Sequence, residues 1–170
     1  MITHSLIAIL YDYHYWANAR LLRACEALTP EQWDKSLGPS WDSVHGLVAH
    51  MLAAEIIWLS RWQGESPRAL SQAADFPTLS EARQAWAKVE ANLRAFVADC
   101  DDARLNEPLT YTNTRGETHT LMLGHLMLHV ANHGTHHRGE LAAMLTMLNV
   151  THPEEDLLIY VLEQRRAGRL

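Results

Sequence analysis

Residues 121–149 read LMLGHLMLHVANHGTHHRGELAAMLTMLN, and their spacing predicts one long amphipathic helix that carries histidines on its buried face. With Leu126 as zero and about 100° per residue, Met144 falls near about 0°, Val130 and Leu148 near about +40° and Leu141 near about +60°. His133 falls at about −20° and His137 at about +20°, the centre of that apolar stripe. His129 comes at about −60°, His136 at about −80° and His125 at about −100°. His129 is therefore expected at the mouth of a site, and His136 and His125 at the boundary or surface.

Two imidazoles aimed into an apolar core need partners, because a buried polar group left unpaired is costly. Histidines at i and i+4 share a helix face and suit capture of one metal ion. Hydroxyls, carbonyls or carboxylates from a neighbouring helix would satisfy them equally well.

Working outward, Leu6, Leu10, Tyr13, Ala17, Leu21, Ala24 and Leu28 mark a first helix over about His4–Leu28, ended by Thr29-Pro30. Pro39-Ser40 opens a second helix to about Gln63, with Ser40 or Asp42 as N-cap. Gly64 to Pro77 reads as a connection whose length suits a crossover in a bundle. Ser80-Glu81 starts a third helix that reaches about Cys100, where Asp99, Asp101 and Asp102 put the wrong charge at a helix C-terminus and predict fraying. The Thr- and Tyr-rich run from Pro108 to Thr120 predicts a short hairpin turning near Asn113 to Gly116. The long histidine-bearing helix follows, and Asp156 to Arg166 adds a short terminal one. The expected fold is all-α: one domain over residues 1–170, a four-helix bundle with a long crossover connection, a hairpin-like segment before the last long helix and a short C-terminal helix.

The composition agrees, with 48% hydrophobic and 20% charged residues in 170. A formal net charge of −6 offers no basic surplus to a phosphate backbone, so nucleic acid is not the expected partner. No apolar run reaches the ~20 residues of a membrane span. The N-terminus has no basic region before Leu6–Leu10, so a cytoplasmic protein is expected. Cys25 and Cys100 stand far apart and are expected as free buried thiols.

A third ligand has to come from another helix. Val44, Leu47, Met51, Ala54, Trp58 and Trp62 define the inward face of the second helix, with His50 on its flank and His45 on roughly the opposite side. His50 is the better choice. Glu55 lies within the arc but points away from His50, and His14 reads as a boundary residue of the first helix. Three neutral imidazoles with one open position describe a catalytic site rather than a closed structural one. Zn, Ni, Fe and Co all accept nitrogen, so the set implies a divalent metal without choosing it. Glu140, at about −40°, is placed to receive a ligand's distal N–H, or else to pair with Arg138 at the surface. Arg138 itself reads as a surface ion pair, with an anionic substrate as the alternative. Trp58, Trp62 and Trp86 read as core or interface, and Trp41 as a residue that could line a cleft.

These residues resemble the DinB/YfiT-like family of metalloenzymes, which is distinct from the DNA polymerase sharing the first name. The likeness rests on Tyr15-Trp16-Ala17-Asn18 with Leu21-Leu22, on His45-Gly46-Leu47-Val48-Ala49-His50 with Glu55 and Trp58, on the run from His129 to Glu140, and on Asp156-Leu157-Leu158. The resemblance implies a four-helix bundle with one long crossover, a homodimer, and a metal site on His50, His133 and His137. Glu140 stands where many members have Gln. It further implies thiol-dependent transferase or hydrolase-like chemistry on a small molecule, with a low-molecular-weight thiol as partner. A metal-stabilised stress-response or ligand-binding bundle without catalysis is the competing expectation, and a metal-free dimerisation module a third.

Overall fold

The computed structural model describes residues 1–38 and 41–169. Four long helices form the body: α1 (His4–Ala24), α3 (Val44–Trp62), α4 (Leu79–Ala98) and α6 (Leu123–Met147). Short helices α2 (Pro30–Trp33) and α5 (Asp102–Leu105), strands β1 (Pro108–Thr112) and β2 (Thr118–Met122), and the terminal helix α7 (Leu157–Arg166) complete it. No described helix is long and apolar enough to cross a membrane.

Local chemistry sets the boundaries. Thr78 caps α4 with its side chain on the Glu81 N–H, and the Glu81 carboxylate returns to the Thr78 N–H, a reciprocal box that satisfies two orphan donors. The cap of α3 is Ser43, whose Oγ accepts from the Gly46 N–H at 3.1 Å. Asp42 is not the cap: its φ of +60° takes the chain through a left-handed turn one residue earlier. Ser40, the other expected cap, lies outside the described residues. The acidic run after α4 does not fray into a loop. Asp99 closes α4, and Asp101 caps α5 by accepting from the Arg104 N–H.

α1 packs against both α4 and α6, and α3 packs against the same two, so α1 and α3 sit across a diagonal of the bundle. The 63–78 connection consequently joins neighbours, α3 and α4, while the steps across the bundle are made before α3 and after α4. The step after α4 contains the expected hairpin, antiparallel with Thr110 opposite Thr120 and its turn at Asn113–Gly116. Strand β2 runs straight into α6. Ile7, Tyr11 and Leu21 of α1, Leu47 and Leu52 of α3, Leu93 of α4 and Met127, Leu141 and Leu145 of α6 meet in one core. Cys25 and Cys100 are free thiols buried at its edge. α7 docks on α1 through Tyr160 against Tyr13.

Candidate metal centre

Where α3 passes α6, three imidazole nitrogens converge. His50 Nε2 lies 3.1 Å from His133 Nε2 and 3.2 Å from His137 Nε2, and the last two are 3.1 Å apart. These are the three residues that the wheel and the flank of α3 single out. Bonds of about 2.0–2.1 Å meeting at about 90–109° span nitrogen–nitrogen edges of about 2.9–3.4 Å, so the triangle has the size of one face of a coordination polyhedron.

Protonation agrees with that fit. His137 Nδ1 sits 2.7 Å from Glu140 Oε2, and the carboxylate can only accept, so the ring proton is on Nδ1 and Nε2 presents a lone pair. Burial, with the neighbouring imidazoles adding to it, holds His133 down to about 3 and His50 to about 4. At neutral pH His133 and His50 are therefore uncharged donors. Glu140 thus sets the tautomer of His137, and its second oxygen lies 3.4 Å from the exposed His136.

His50 is also held from its other side. The Trp41 ring stacks on it at 3.6 Å between centroids and 15° between planes. This contact needs Gly46: a Cβ there would stand 2.5 Å from the Trp41 carbonyl oxygen, so only glycine lets the chain before α3 fold down onto the helix. Trp41 is therefore part of the site, as its position ahead of the second helix suggests. His45 points to the far side, where it meets Asp34 and the carbonyls of Ala73 and Phe76.

His50 and His133 open onto a cleft of 240 Å³ floored by α3 and α6 and walled by Tyr111 and Asn113 of the hairpin. His129 stands at its mouth, edge-on to Trp58 at 5.3 Å. A wider hollow of 580 Å³ between Glu26 and Arg83 lies away from the histidines.

Arg138 departs from expectation. It is 1% exposed and has no carboxylate in ion-pair range; its Nη1 donates to His14 Nδ1 at 3.1 Å and to Asn18 Oδ1 at 3.0 Å, and its Nη2 donates to Thr135 Oγ1 at 2.9 Å. His14 is buried too, at 1% exposure, and passes the contact on by donating from Nε2 to Glu55 Oε1 at 2.8 Å. Glu55 also accepts from Tyr15 at 3.1 Å, Asn18 at 3.3 Å and Trp86 at 3.0 Å. The physical reason is that α6 lies between α1 and α3 and buries two faces, one with the histidine pair and one with Gly134 and Arg138. A single-helix wheel centres one stripe and cannot register a second partner. The signal available in the sequence was Glu55 itself, a carboxylate inside an apolar arc.

The family model described as "DinB family" matches residues 1–167. The protein named DinB from Bacillus subtilis (strain 168) is 25% identical over 159 residues, covering 89% of this chain and 91% of that one. Among solved structures, YfiT from Bacillus subtilis, described as a probable metal-dependent hydrolase with an unusual four-helix bundle topology, superposes with a TM-score of 0.68 at 17% identity, covering 89% of this chain and 92% of its own. A DinB-like protein from Bacillus cereus ATCC 10987 gives 0.59 at 14% identity, covering 85% and 94%.

Proposed function

The chain belongs to the DinB family, and from that premise we propose that it is a metal-dependent enzyme acting on a small molecule, with His50, His133 and His137 holding one divalent cation. The observation that carries the reading is the triangle of Nε2 atoms at 3.1–3.2 Å, one of whose lone pairs is fixed by Glu140. Catalysis is favoured over a purely structural ion because the cluster holds three ligands among the described residues and two of them face a cleft. YfiT's description as a metal-dependent hydrolase supports the same class.

When bound, a divalent cation supplies a Lewis acid that acidifies a thiol or a water molecule at neutral pH, the basis of thiol transfer or hydrolysis. The chain's residues do the rest. Glu140 keeps the His137 proton on Nδ1, and Trp41 fixes the plane of His50. Trp58 and the hairpin residue Tyr111 line the cleft with aromatic surface. His129, whose pKa partial desolvation lowers, adds a further imidazole to that lining. A small-molecule substrate suits a cleft of 240 Å³.

Elemental analysis of tag-free protein tests the reading. About one divalent metal per chain is expected, retained by the parent and lost in His133→Ala, together with an exchangeable ligand position. Stoichiometric metal that survives His133→Ala would place the ion elsewhere and overturn the assignment.

A further inference from the structure

Arg61 is 6% exposed, yet no carboxylate among the described residues pairs with it. The described arginine–carboxylate pairs involve Arg20, Arg83 and Arg94, and the buried Arg61 Nε has no hydrogen-bond partner. Its guanidinium lies 4.6 Å from the ring centre of Trp58 and 5.1 Å from that of Tyr111. Two aromatic surfaces therefore hold the planar fork, while its Nη groups stay accessible from the cleft. A cation so largely withdrawn from water gains from an anionic acceptor. Burial does lower its pKa, but a guanidinium does not give up its proton in a protein, so the charge stays.

This cation lines the same 240 Å³ cleft as His50 and His133. Eleven residues separate His50 from Arg61, about three helical turns, which returns Arg61 to nearly the same face of α3 about 16 Å further along. A long side chain on a helix leans back towards the N-terminus, here towards the histidines. Asn113 of the hairpin also lines the wall, its amide held by Glu117, His119 and the Arg115 N–H.

We infer that Arg61 is the carboxylate-recognising residue of the cleft, so that the ligand of this site is a small molecule with a carboxylate at one end and a metal-seeking group at the other. The inference rests on the reading of the histidine triad as an open metal site. Arg138, the other cation considered for this role, does not line the cleft, and its Nη1 and Nη2 already donate to His14, Asn18 and Thr135, which leaves only its Nε without a partner.

Cobalt-loaded protein, whose visible spectrum responds to a thiolate ligand, tests this directly. The probes are ω-mercaptocarboxylic acids of increasing chain length, each compared with the mercaptoalcohol of equal length. At one length the acid is expected to bind about tenfold or more tightly than the alcohol, the scale of a charge-assisted hydrogen bond. Arg61→Gln should abolish that preference while keeping the cobalt spectrum, and Arg61→Lys should restore part of it. Equal binding of acid and alcohol at every length overturns the role of Arg61 and leaves the open metal site standing. A cobalt spectrum that no thiol perturbs, or failure to bind cobalt at all, overturns the metal reading and this inference with it. Should Arg61→Gln not fold by circular dichroism, the acid–alcohol comparison on the parent protein decides the matter alone.

Discussion

Glu140 shows how one side chain sets the chemistry of another. Its Oε2 accepts a hydrogen bond from the Nδ1–H of His137 at 2.7 Å, three residues away on the same helix, and thereby leaves Nε2 as the nitrogen with a free lone pair. Partners of this kind are worth about 10–100-fold in metal affinity. Glu140→Ala is expected to weaken metal binding by about that factor in competition titrations against a chelator, with the melting temperature of the metal-free protein nearly unchanged. An affinity equal to the parent's would mean that His137 finds its tautomer without help. This role was legible in the sequence, since i and i+3 positions adjoin on a helix. The buried pairing of Arg138 was not, because two of its three acceptors, His14 and Asn18, come from α1.

At the scale of the element, the spacing between α1 and α6 depends on Gly134. A Cβ at that position would overlap the His14 ring and come within 3.1 Å of Arg138 Nη1. Alanine is the better helix former by about 1 kcal/mol, but overpacking a core costs about 1–3 kcal/mol, and here the obstacle is a ring fixed by hydrogen bonds on both nitrogens. Gly134→Ala is therefore expected to lower the melting temperature by several degrees. In a His14→Ala background the same substitution should cost little, and a double-mutant cycle by thermal denaturation reads the coupling. Equal costs in the two backgrounds would show that His14 is not the obstacle. The hairpin was readable from its turn residues and the long helices from their periodicity, while the caps of α3 and α4, Ser43 and Thr78, were not identified. The two short helices were missed, because four-residue elements carry too little periodicity to register.

Across the whole molecule, the Glu55 carboxylate ties all four long helices together: His14, Tyr15 and Asn18 from α1, Trp86 from α4 and, through His14, Arg138 from α6. Glu55→Gln removes the carboxylate on which four donors converge and puts an amide there. Loss of hydrogen bonds to a buried charged acceptor costs about 1.5–3 kcal/mol, or roughly 3–12 °C for a chain of this size. Calorimetry of metal-free protein checks this, and a melting temperature within a degree of the parent's would mean that the network is dispensable. The sequence by itself determined the helical class, the hairpin, the inward direction of His133 and His137 and the place of His50 on the flank of an apolar face, because periodicity reports which face of each helix turns inward. Only the tertiary structure decided which helices are neighbours, that α6 buries a second face, and that Arg61 is left unpaired while Arg138 is not. Those facts depend on what stands opposite each side chain, and a one-dimensional pattern records the direction of a residue without its partner.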